Sequence, residues 1–95
     1  MNNIFETIHN HHERAVLDAV RDAAADLGDL NEEQILADVA CVALNRLPPR
    51  YIRHHVDYAF YLTERERAEN EAAISEAVAF AFEFVQAKVA MRARR

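Results

Sequence analysis

Apolar residues in the first third of the chain recur at Ile4/Phe5, Ile8, Ala15/Val16, Ala19/Val20, Ala23 and Leu27. That spacing lies near the helical period and predicts a helix from about Ile4 to Leu27, with His12 in its apolar stripe. Asn2 or Asn3 can cap it, and Gly28 follows Leu27, where a helix closes on a residue of left-handed φ. A second helix is predicted after Asn31. Asn31 and Gln34 have the spacing of a capping box, and Glu32 and Glu33 suit a positive helix N-terminus. Its apolar face is Ile35, Leu36, Val39, Val42, Ala43 and Leu47, with Ala40 and Cys41 small enough for close packing. Pro48-Pro49 stops it near Leu47, because proline disfavours α geometry in the residue before it.

From Arg50 to Leu62 the pattern changes to β-branched, aromatic and aliphatic residues, which fits a loop with a short extended piece or a helical turn. Thr63 and Glu66 then form a second capping box, and a long helix runs to about Arg92. Its first turns, Glu64 to Glu71, alternate acids and arginines and read as a solvated surface with weak ion pairs. Its second half is nearly all apolar. Phe80, Phe82 and Phe84 cannot share one narrow face, since residues two apart on a helix point apart. They read as core or as an interface with a second copy of the chain.

Composition sharpens this picture. With 95 residues, one glycine and two prolines, the chain fits one small all-α domain of three main helices over residues 1–95. A core this thin gains from a second protomer, so a homodimer built on the last helix is expected. Cys41 is the only cysteine, which excludes an internal disulfide and suits a reducing compartment. Met1 to Glu6 lacks a basic segment followed by an apolar run, and no stretch approaches a membrane span, so a cytoplasmic location is expected. The formal charge of −5 argues against general nucleic-acid binding.

Against that acidity, no acidic residue occurs from Val39 to Val56, between Asp38 and Asp57. The window holds Arg46, Arg50 and Arg53, His54 and His55, and the Pro-Pro break. Arginine grips phosphate in a fork, lies flat on a purine, or donates twice to a guanine edge. Tyr51 can stack on a base, Asn45 offers an amide, and Asp38 or Asp57 can accept from guanine N1 and N2. Those residue types suit a guanine nucleotide with accessible phosphates. The plainer reading is a helix terminator with surface arginines and Tyr51 packed on the core.

The run DVACVALNRLPPRY, Asp38 to Tyr51, resembles the late competence development family called ComFB. The resemblance implies a small, mainly helical, dimeric bacterial protein linked to cyclic di-nucleotide binding, cyclic di-GMP above all and cyclic di-AMP second. It also implies a link to competence and motility. The motif positions here are Asp38, Asn45, Arg46, Leu47, Pro48, Pro49, Arg50 and Tyr51. Some members carry a cysteine cluster that suits zinc; Cys41 stands alone here, so no zinc is implied.

Other residues carry less chemistry. His9, His12 and Glu13 share a helical face but lack a second motif at metal-binding spacing, so they read as surface, with His12 partly packed. Cys41 has no base nearby in sequence and reads as packing. No P-loop, metal pair or activated nucleophile is present, so no enzyme and no cofactor are expected. The expected function is a cyclic di-nucleotide receptor with ligand residues Asp38, Asn45, Arg46, Arg50, Tyr51 and Arg53, acting on a downstream protein partner. The alternative is a ligand-free helical adaptor dimer.

Overall fold

A computed structural model describes residues 3–26, 32–54, 56, 60 and 62–93. Among these residues three α-helices carry the fold: α1 (His12–Ala24), α2 (Glu33–Arg46) and α3 (Glu64–Ala93). Two short strands, β1 (His9–Asn10) and β2 (Tyr51–Ile52), pair antiparallel with His9 opposite Ile52 and Asn10 opposite Tyr51. None of the described helices is long and apolar enough to cross a membrane.

Each helix buries one stripe. On α1 the stripe is His12, Val16, Val20 and Ala24, one residue per turn. On α2 it is Leu36, Val39, Ala40 and Ala43, continued by Leu47 just past the helix end. On α3 it is Ala77, Val78, Ala81, Phe82 and Val85. These stripes form one core. Burying each valine, leucine or phenylalanine contributes about 1.5–3 kcal/mol. Ala43 and Ala81 are fully buried, and small side chains there let helices approach closely.

The ends of α2 and α3 follow local chemistry. Leu47 is extended, with φ −94° and ψ 139°, as a residue before proline should be. At the start of α3 the Glu66 amide donates to the Thr63 hydroxyl oxygen at 3.1 Å. The reciprocal half of the box differs, for the Thr63 hydroxyl donates to the Glu66 carboxylate at 3.2 Å. The N-cap of α2 is Glu32, with no side-chain capping bond. Asn31, Gly28 and Leu27 lie outside the described residues, as do residues 55, 57–59 and 61.

The first helix does not begin at Ile4. Ile4–Thr7 form a single 3₁₀ turn, Ile8 is extended, and α1 starts at His12. Asn3 does cap, but it caps the 3₁₀ turn, accepting from the Phe5 amide at 3.0 Å. Asn10 ends the possibility of a continuous helix. Its side-chain oxygen accepts from the amides of His12 and Arg50, each at 3.2 Å. Asparagine competes for backbone donors in this way, and a long-range partner tips the balance. Ile4, Phe5 and Ile8 remain exposed, so their helical spacing served no core within the chain.

Cys41 is also displaced from its expected role. It is exposed, while its neighbour Ala40 packs in the core. The three phenylalanines divide as their spacing requires: Phe82 is 6% exposed, whereas Phe80 and Phe84 are 37% and 46% exposed.

Candidate functional site

The Pro-Pro loop is held against the start of α1 by its backbone. The Arg50 amide donates to Asn10 Oδ1, and the Arg50 carbonyl accepts from the His11 amide at 2.7 Å. The β1–β2 pairing continues this seam through Tyr51 and Ile52. Proline at 48 and 49 fixes φ on the other flank. The segment that carries the basic residues is therefore set before any ligand arrives.

Arg46 and Arg53 are each oriented by a neutral group. The Arg46 guanidinium carbon lies 3.8 Å from the centroid of the Phe80 ring on α3. Arg53 Nε donates to Thr7 Oγ1 at 3.1 Å. Ion pairs join Arg14 to Asp18, Arg21 to Glu33 and Arg65 to Glu69, and among the described residues none involves Arg46 or Arg53. Their positive charge is positioned but, among the described residues, not neutralised by a carboxylate. Tyr51 is 67% exposed, so its ring is presented to solvent rather than packed on the core. Asn45 uses an amide hydrogen on the Cys41 carbonyl, one turn back on α2, at 3.0 Å.

Arg50 lines a depression of about 230 Å³ with His12, Pro48, Pro49, Glu69, Asn70 and Ala73. His12 is buried there, and its Nδ1 has no hydrogen-bond partner among the described residues. Burial first, and the Arg50 charge second, push the imidazole below its ordinary value of 6.5. The native state thus binds a proton less readily than the unfolded chain. Stability from this group is complete above the unfolded value, falls as pH drops below about 6.5, and stops falling below the lowered native value. The melting temperature is expected to drop between about pH 7.5 and pH 5, and His12→Gln should flatten that drop. Equal slopes for both proteins, measured by circular dichroism, would remove His12 from the account.

Asp38 is not beside the Pro-Pro loop. It lies two turns before Arg46, about 12 Å along α2. There it lines a separate cleft with Cys41, Val42, Phe84, Lys88 and Arg92. Asn45, Arg46, Arg50, Tyr51 and Arg53 thus flank the helix break in the chain, with Arg46 turned to Phe80, Arg50 lining the depression beside His12, and Arg53 turned to Thr7, while Asp38 stands apart. Asp57 and His55 lie outside the described residues. Sequence reasoning missed Phe80 as the platform for Arg46, Thr7 as the partner of Arg53, and Asn10 as the anchor of Arg50. Each of these contacts joins residues more than thirty positions apart, so no local pattern marks them.

A comparison with curated proteins gives no match. A family model described as late competence development protein ComFB matches residues 9–89.

Proposed function

The chain belongs to the late competence development ComFB family, and on that footing we propose that it is a receptor for a cyclic di-purine nucleotide, cyclic di-GMP above all. The observation that carries this reading is the pair Arg46 and Arg53. Both flank the Pro-Pro break, and both are fixed by uncharged partners, a phenyl ring and a hydroxyl. Cations held in this way keep their charge for an anion. Arg46 and Arg50 contact phosphate or a guanine edge, Arg53 adds charge, and the exposed Tyr51 ring stacks on a base. Asn45 supplies a polar contact, and Asp38 reads a guanine edge.

The protein works without catalysing a reaction, as a cytoplasmic homodimer built on α3. Ligand binding biases one arrangement of the dimer or the loop, and so presents a surface to a downstream partner. The bias extends only as far as the ligand's preference for one state over the other.

A second reading, a ligand-free helical adaptor, draws support from an apolar groove of about 430 Å³ between α1 and α3. Its walls include Ala15, Ala19 and Ala23 opposite Ile74, Val78 and Phe82. Calorimetric titration with cyclic di-GMP, cyclic di-AMP and linear GMP separates the two. Selective binding of a cyclic di-nucleotide at about micromolar affinity or tighter, roughly −8 kcal/mol, supports the receptor. Absence of heat and of any thermal shift with all three leaves the adaptor.

A further inference from the structure

The cleft that holds Asp38 combines three kinds of chemistry. Asp38 enters it from α2, while Phe84, Lys88 and Arg92 enter from successive turns of α3. The acid and the two bases share this depression, yet none of them takes part in an ion pair among the described residues. Both signs of charge remain addressable by one bound molecule.

One side of the cleft is the Phe84 ring, and a second ring, Phe80, continues from it toward Arg46. The Phe84 ring stacks near Phe80, with centroids 6.1 Å apart and planes inclined by 27°. Phe80 carries the Arg46 guanidinium, and Lys88 Nζ lies 5.9 Å from the Phe84 centroid. Arg46, Phe80, Phe84 and Lys88 therefore form a ladder of cation, ring, ring and cation along the surface of α3. A half-exposed ladder of this kind attracts flat anionic molecules, since rings stack on bases and the flanking cations hold phosphate.

We propose that the α2–α3 cleft is a guanine-binding subsite. Phe84 contacts the base, the Asp38 carboxylate accepts from guanine N1–H and N2–H, and Lys88 and Arg92 hold the adjoining phosphate. The cleft measures about 230 Å³, below the roughly 300–1,000 Å³ of a drug-sized pocket. It has room for one base and not for a whole cyclic di-nucleotide. The second half of the ligand lies outside, along the ladder toward Arg46. This assignment rests on the receptor reading above and adds Phe84, Lys88 and Arg92 to it.

Cys41 lines the same cleft and is exposed, so it reports on occupancy. Cyclic di-GMP should slow maleimide labelling of Cys41 severalfold, followed by mass spectrometry of the full chain. Asp38→Asn should weaken cyclic di-GMP about tenfold or more while leaving cyclic di-AMP within about twofold, because only guanine offers that donor edge. Phe84→Ala should weaken both ligands about tenfold. Helix content by circular dichroism, unchanged in both variants, shows that they fold. If the wild-type protein binds cyclic di-GMP but labelling is unaffected and both variants bind normally, the subsite is overturned and the receptor survives. If the wild-type protein binds no cyclic di-nucleotide, the receptor reading and the subsite fall together.

Discussion

Arg50→Ala should abolish cyclic di-GMP binding while leaving helix content and the association state unchanged. Two features preserve the backbone frame and the core in the variant. The native contacts of Arg50 with Asn10 and His11 are made by its backbone, and alanine keeps both. Residue 50 is also exposed, so no core is disturbed. What alanine removes is the guanidinium. Truncating one member of a hydrogen-bonded charge pair costs about 2–5 kcal/mol, or from about thirty-fold to several thousand-fold in affinity. Titration calorimetry on the wild type and the variant, under the same salt, measures this. Normal affinity in the variant would mean that the ligand is held elsewhere than at the helix break.

The second large effect is on stability. Phe82→Ala should destabilise the chain by about 3–5 kcal/mol, since a phenylalanine emptied from a core leaves a cavity as well as losing its transfer energy. A chain of this length has about 5–14 kcal/mol in total, at about 0.05–0.15 kcal/mol per residue. The variant should therefore melt well over 10 °C below the wild type. Phe80→Ala and Phe84→Ala should each cost about 1 kcal/mol or less, because both rings are substantially exposed. Urea denaturation of the three variants tests the burial assignment directly. Equal losses at all three positions would show that α3 is rotated relative to its partners.

Much of the helical framework is legible locally. Leu47 before Pro48 ends α2, and Thr63 with Glu66 begins α3; both depend on residues within one turn. The division of Phe80, Phe82 and Phe84 follows from helical geometry alone. Cys41 was legible too, for it lies about 150° round the helix from the centre of the Leu36–Ala43 stripe. Its small apolar character suggested packing, where its angle forbids it. The start of α1 was not legible. Ile4, Phe5 and Ile8 imitate a helical turn, and the residue that breaks it, Asn10, finds its partner in Arg50. The motif from Asp38 to Tyr51 identified the basic residues, but only the packing of α2 on α3 assigns Asp38 and Arg46 to different neighbourhoods.

The pairing of His9–Asn10 with Tyr51–Ile52 also has a consequence for time. The helices are joined through a shared apolar core, whereas this ladder is two residues long and partly open to water. Segments with few buried contacts open at free energies well below that of global unfolding. The strand seam that holds the Pro-Pro loop therefore opens at a lower free energy than the bundle, although the loop is set in place whenever the seam is closed. Closure of the seam also has to overcome the entropy of bringing together segments some forty residues apart. The basic residues thus sit where the chain can release and re-form its own seam without melting its bundle.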